Sequence, residues 1–75
     1  MLYTVRALTD PERRQVAMLS ETEDLDQASD LAITAAARVA NHRFEVREGR
    51  SVVLAAYTRD GAVMVDRPAE RQVAA

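Results

Sequence analysis

The stretch that decides the fold is Asp24–Asn41, with the sequence DLDQASDLAITAAARVAN. At about 100° per residue, its apolar side chains fall on one stripe and its polar side chains fall opposite. The stretch lacks glycine and proline and is rich in alanine, so helix propensity agrees with the pattern. We therefore predict one amphipathic helix here. Its apolar stripe consists of Leu25, Ala28, Ala32, Ala35, Ala36 and Val39, with Leu31 and Ile33 at the margins.

The start of this helix carries a capping signal. Asp24 suits the N-cap, where its carboxylate accepts from backbone N–H groups of the first turn. Gln27, three residues later, is expected to complete a capping box by bonding the backbone N–H of Asp24. A helix of this length is marginal alone in water, so its stripe needs a sheet or a second helix to cover it.

The rest of the chain predicts β-strands. Leu2–Leu8 and Arg43–Glu48 alternate in polarity, as half-buried strands do, and Ser51–Thr58 is apolar on both sides, which is typical of a central strand. Ala62–Asp66 follows Asp60-Gly61, a strong two-residue hairpin signal, and Pro68 ends it. The segment Arg14–Ser20 fits either a strand or a short helix, and we favour the strand because its helical stripe is thin.

The predicted order is therefore ββαβββ. An α+β fold, in which an antiparallel sheet carries the one amphipathic helix on one face, is the economical packing for this order. The 75 residues predict a single domain over 1–68, followed by a flexible C-terminal tail at 69–75.

Charge is distributed unevenly along the chain. The net charge is −2, from 10 basic and 12 acidic side chains, and every basic one is arginine. Residues 16–37 contain acids but no base, namely Glu21, Glu23, Asp24, Asp26 and Asp30. Carboxylates near a helix N-terminus are favoured by its dipole, so this block has a structural explanation. The alternative is an acidic face that docks on a basic partner.

The sequence lacks the residues that catalysis and metal binding require. It has no cysteine, and its one histidine, His42, has no further ligands near it in sequence. Neither glycine belongs to a phosphate-binding loop, and no serine sits in a nucleophile motif. We expect no enzyme, no catalytic residue, no metal and no cofactor. With no secretory signal and no run of about 20 apolar residues, we expect a cytoplasmic protein without membrane contact.

Two alternatives concern the side of the sheet that the helix leaves open. Val53, Ala55 and Tyr57 could form an apolar dimer face, which would make the protein a homodimeric accessory or structural module. A weak nucleic-acid-binding surface would instead combine Tyr57 as a stacking platform with nearby arginines. The interleaved acids and the pI of about 5.3 count against nucleic acid. The arginines are Arg43, Arg47, Arg50 and Arg59, and the acids are Glu45, Glu48 and Asp60.

Two segments carry a resemblance to a known family. The helix opens with LDQASDLA at residues 25–32, and the last hairpin has the sequence AYTRDGAVMVD at residues 56–66. Both resemble segments of a small phage-encoded anti-CRISPR protein that blocks a type I-F surveillance complex. The order of strands around one helix is also similar, so the resemblance covers most of residues 2–66.

The resemblance implies a non-enzymatic inhibitor that docks on the crRNA-coated backbone of a type I (Cascade-type) complex and obstructs target DNA. In that family, basic residues on the helix take part in docking, whereas this chain has Ser29, Asp30 and Thr34 in the corresponding region. An acidic helix face would suit an arginine- and lysine-lined nucleic-acid channel, in which it would replace phosphates. The predicted partner-binding residues are Asp26, Asp30, Thr34 and Arg38 on the helix, joined by Arg59 on the hairpin.

Overall fold

The computed structural model describes residues 1–68, which form a five-stranded antiparallel sheet with a helix packed on one face. The predicted α+β class and the order ββαβββ are confirmed. The predicted tail at 69–75 lies outside the described residues. The elements are β1 (Tyr3–Thr9), β2 (Gln15–Thr22), α1 (Leu25–Arg38), β3 (His42–Glu48), β4 (Ser51–Arg59) and β5 (Ala62–Asp66).

The strands lie in the order β2-β1-β3-β4-β5. Because α1 carries the chain from the edge strand β2 across to β3, β1 comes to pair with a strand far along the sequence. Val5 lies opposite Val46 in that pairing, and Ala7 lies opposite Phe44. The centre of the sheet is thus made of β1, β3 and β4, while β2 and β5 form its two edges.

The core lies between α1 and the sheet. Ala28, Ala32 and Ala36, which recur every four residues, are fully buried on the helix. Their small side chains let the helix backbone approach the strands closely, so larger side chains from the sheet fill the space between the layers. The sheet contributes Val5, Ala7, Phe44, Val46, Leu54 and Ala56 to this cluster.

The start of α1 confirms one half of the predicted cap and corrects the other. Asp24 is the N-cap, and its carboxylate accepts from the backbone N–H groups of Asp26 and Gln27. The predicted bond from Gln27 back to the Asp24 N–H is wrong. Thr22, the last residue of β2, intervenes: its hydroxyl oxygen accepts from the Asp24 N–H and its proton goes to Gln27 Oε1. The threonine thereby ties the helix start to the sheet edge.

The helix ends earlier than Asn41, the predicted last residue. Val39 is the C-cap with an extended backbone, and Asn41 adopts a φ of 64°, a left-handed conformation that asparagine tolerates better than most residues. Thr58 of β4 donates its hydroxyl proton to the carbonyl of Ala36, one of the last-turn carbonyls that have no partner within the helix. The sheet therefore satisfies part of the helix C-terminus.

Residues 15–20 of the ambiguous segment Arg14–Ser20 form part of β2, as favoured, and pair with β1. The ladder between the two strands is irregular, with register shifts at Val5/Arg6 and at Ala7/Leu8. At the other edge, the β4–β5 ladder keeps one register throughout. Its turn residues, Asp60 and Gly61, have φ of 53° and 80°, as the predicted two-residue hairpin requires.

Candidate docking surface

The four helix residues predicted to bind a partner lie together on the solvent side of α1. Asp26, Asp30, Thr34 and Arg38 are all exposed. They recur every four residues, so they form one ridge along the helix, with neighbours about 6 Å apart along the axis. The buried alanines lie on the opposite side, against the sheet.

The acids of this ridge continue onto the preceding segment. We call the set of Glu23, Asp24, Asp26 and Asp30 the acidic surface; all four residues are exposed, whereas Glu21 lies opposite Thr4, on the side of the sheet that α1 does not cover. Within residues 1–68, the ion pairs join Glu45 to Arg43 and Arg47, and neither involves the acidic surface. The carboxylates of this surface are therefore not neutralised by arginines of the described chain.

The fold explains some of these acids better than others. Asp24 caps the helix and Asp26 lies in its first turn, where the dipole favours a negative charge. Asp30 is a turn and a half past the cap, where that effect has faded. It also lies four residues after Asp26, and a like-charged pair at this spacing destabilises a helix by about 0.2–0.5 kcal/mol. The charge of Asp30 is therefore not explained by the stability of the helix.

Arg59, the fifth predicted residue, does not join the ridge. Its guanidinium lies over the Tyr57 ring, at 5.2 Å from the centroid, on the side of the sheet that α1 does not cover. We call this side the open face. The structure therefore brings four of the five predicted residues together and places Arg59 on the opposite side of the sheet.

The open face holds a buried ionic cluster at its centre. Glu45 accepts from Arg43 Nε at 3.2 Å and from Arg47 Nη2 at 2.6 Å. The side-chain exposures are only 7% for Glu45 and 11% for Arg43, with 26% for Arg47. Arg6, on the neighbouring strand opposite Glu45, donates instead to Thr4 and Gln15. One carboxylate thus compensates two guanidinium groups.

This arrangement bears on the nucleic-acid hypothesis. Arg43 and Arg59 both lie over the Tyr57 ring, at 5.3 and 5.2 Å from its centroid, so guanidinium groups already occupy the platform that a base would use. The charges of Arg43 and Arg47 are partly offset by Glu45. Arg50 lies in the β3–β4 turn, outside the strands. The open face therefore offers a phosphate backbone less available positive charge than its number of arginines indicates.

The predicted dimer residues differ in accessibility. Ala55 has no exposed surface and so contributes none to an interface, because its small side chain lies between larger neighbours. Val53 is partly buried and packs against the core cluster. Tyr57 is partly exposed beneath its two arginines. The open face is consequently not the apolar patch that these three residues predicted.

Sequence reasoning missed the burial of Glu45. The pattern Arg-x-Glu-x-Arg at residues 43–47 places all three side chains on one side of a strand, and this alternation predicts a polar side without indicating whether that side is buried. The signal that would have revealed the cluster is the central position of β3, since strands on both sides leave little water around its middle residue. That position depends on the β1–β3 pairing, which the sequence pattern alone does not specify.

Two kinds of feature are absent from the part of the chain that the structure describes. It contains no cluster of three or more metal-ligating side chains. None of its helices has the length and apolar character needed to cross a membrane. In the comparisons with known proteins, no protein-family model, curated protein or solved structure matches the chain.

Proposed function

We propose that the protein is a non-enzymatic inhibitor that binds a basic protein surface through the acidic surface of α1. Asp30 is the observation that carries this proposal. Its carboxylate is exposed and has no ion-pair partner within residues 1–68, and its charge costs the helix a little stability. A positively charged partner would offset the repulsion between Asp26 and Asp30 and would attract both carboxylates.

The resemblance to anti-CRISPR proteins gives this partner its chemistry. A type I surveillance complex binds target DNA along an arginine- and lysine-lined channel, and a row of carboxylates can occupy the phosphate positions there. Asp26 and Asp30 lie one helical turn apart on a rigid helix, so the partner would not have to order them. Inhibition then follows from occupancy of the channel, and no active site is needed.

Rigid attachment of the helix supports this role. The N-cap bonds of Asp24 and the relay through Thr22 hold the first turn, and the buried alanines hold the middle against the sheet. Electrostatic complementarity of this kind raises the rate of association and selects the partner more than it raises affinity. We therefore expect binding to weaken as the salt concentration rises.

The test is a charge reversal with a matched control. Asp30→Arg should weaken binding to a type I surveillance complex by about tenfold or more, which corresponds to about 1.4 kcal/mol, and should restore target-DNA binding by the complex. Glu12→Arg makes the same charge change in the β1–β2 turn, away from the acidic surface, and should leave inhibition unchanged. Circular dichroism should show both variants folded.

Three outcomes would contradict the proposal. If the wild-type protein leaves target-DNA binding unaffected, the assignment to a surveillance complex is wrong. Should Asp30→Arg and Glu12→Arg lower inhibition equally, net charge rather than the acidic surface would be responsible. If Asp30→Arg inhibits as well as the wild type, the docking surface lies elsewhere.

A further inference from the structure

The two edges of the sheet are built differently. The β2 edge is interrupted by the two register shifts, and such irregularities discourage a further strand from pairing. The β5 edge has a regular ladder to β4 and contains no proline and no charged residue between Ala62 and Asp66. A regular uncharged edge is the kind that accepts another strand.

The side chains of β5 are apolar on both faces and partly uncovered. Val63, Met64 and Val65 are 37%, 41% and 38% exposed. Val63 lies opposite Thr58 and Val65 opposite Ala56, so both valines are on the side of the sheet that carries α1. Met64 lies opposite Tyr57 on the open face.

The register of the hairpin determines which backbone groups face outward. In a hairpin with a two-residue turn, the residues that flank the turn form a hydrogen-bonded pair, and bonded pairs then alternate with non-bonded ones. Arg59 and Ala62 flank the turn, so Ala62, Met64 and Asp66 bond to β4. Val63 and Val65 therefore direct their N–H and C=O groups to the free edge.

We propose that two copies of the chain pair antiparallel through β5, with the two Met64 residues facing each other across a two-fold axis. In this register Val63 of each copy lies opposite Val65 of the other, which gives two such pairs. Both valines direct their backbone N–H and C=O groups to the free edge, so each pair can form hydrogen bonds. Four backbone hydrogen bonds form, and the two sheets become one of ten strands, since each copy contributes five. Centring the axis on either valine would leave only one bonded pair, with two hydrogen bonds, within the strand.

The side chains fit a second copy in the same register. Paired residues of a sheet share a face, so the four valines become neighbours on the helix side and the two methionines become neighbours on the open face. Asp66, which also interacts within its own chain, lies opposite Ala62 of the other copy. Ala62 is small, and its partner on β4 is Arg59. The contact therefore places Asp66 of each copy near Arg59 of the other.

The pairing leaves the proposed docking surface accessible and doubles it. A two-fold axis perpendicular to the sheet keeps both helices on the same side, so the dimer presents two acidic surfaces in one direction. The inference does not depend on the proposed function, since it follows from the register and exposure of β5 alone.

A single cysteine tests the register directly. The chain has no cysteine, so Met64→Cys introduces one thiol per copy. Directly opposed residues at a non-bonded antiparallel pair have Cα atoms about 4.5 Å apart, which a disulfide can span. Under mild oxidation, most of the Met64→Cys chain should form a disulfide dimer. Met18→Cys, on the exposed part of the β2 edge, is the matched control and should remain mainly monomeric.

Light scattering across a concentration series tests the interface without a cross-link. The mass of the wild-type chain should rise from 8.3 kDa towards twice that value as concentration increases. Val63→Lys should abolish the rise, because it places a charged side chain opposite Val65 of the other copy and sets two ammonium groups at diagonal positions on the same face of the dimer. Val16→Lys makes the same change on β2 and should leave the rise intact. A strictly monomeric wild type, a dimer that survives Val63→Lys, or equal cross-linking of the two cysteine variants would overturn the proposal.

Discussion

Phe44 and Glu45 are neighbours in sequence and equally well buried, yet they point to opposite faces of the sheet. Phe44 is 2% exposed beneath α1, within a cluster of apolar side chains. Glu45 is 5% exposed on the open face, where two arginines surround it. One face is thus closed by a helix, and the other is closed by its own long charged side chains. The aliphatic stems of arginine can cover a sheet in this way while the guanidinium groups reach water.

The difference teaches how the sheet limits its exposed apolar area on the side that α1 does not cover. Among residues 1–68, α1 is the one helix, and it leaves the open face uncovered. The ionic cluster shields Ala55 and the centre of β3 instead, but it stabilises by electrostatics and hydrogen bonds that must remain complete. The two faces should therefore respond differently to substitution.

The largest loss of stability is expected from a substitution on the face of the sheet that α1 covers. Phe44→Ala leaves a cavity between α1 and the sheet and should lower the free energy of unfolding by about 3–5 kcal/mol. A core of this size supplies little more than that, so the variant should be largely unfolded at 25 °C. Circular dichroism with chemical denaturation measures the loss. Phe44→Leu, which retains most of the volume, should stay folded; a stable Phe44→Ala variant would contradict the assignment of the core.

A smaller loss is expected on the open face. Glu45→Ala leaves Arg43 and Arg47 without their shared acceptor and should cost about 2–3 kcal/mol, less than a fully buried pair because both guanidinium groups retain some solvent. Glu45→Gln keeps one acceptor oxygen but removes the charge, so it should lie between Glu45→Ala and the wild type. Unchanged stability of Glu45→Ala would mean that the cluster only shields the sheet.

The sequence predicted most elements well because they carried a local signal. Alanine periodicity, alternation and the Asp60-Gly61 turn placed the helix and four of the strands, and the bounds of β5 were matched at both ends. The segment that forms β2 fitted either a strand or a short helix, and the strand was favoured only because its helical stripe was thin. The strand order had no local signal, since pairing of β1 with β3 is decided by how α1 crosses the sheet. Glu45 could not be assigned to a buried cluster without that order, and Arg59 was considered both for the open side of the sheet and for the ridge on the helix.

The positions of the ridge residues were easier to predict from the sequence than the positions of residues on the open face. Helical periodicity alone determines which residues oppose a buried stripe, so Asp26, Asp30 and Thr34 were placed on the solvent side correctly. The hydrogen bond between Thr22 and Gln27 was not predicted, because the capping-box pattern includes only residues at the start of the helix. Thr22 belongs to β2, and its hydroxyl enters the network only once the strand and helix are joined.

The smallest loss of stability is expected from a polar residue on the side of the sheet that carries the helix. Thr58 Oγ1 donates to the carbonyl of Ala36, so Thr58→Val keeps the shape and removes one hydrogen bond between β4 and α1. The loss should be about 1 kcal/mol, measured by chemical denaturation, because the carbonyl lies near the helix end, where water can partly replace the hydroxyl. Thr58→Ser keeps the hydroxyl and should recover most of the stability. If both variants lose stability equally, the methyl contact rather than the hydrogen bond joins the two layers at this point.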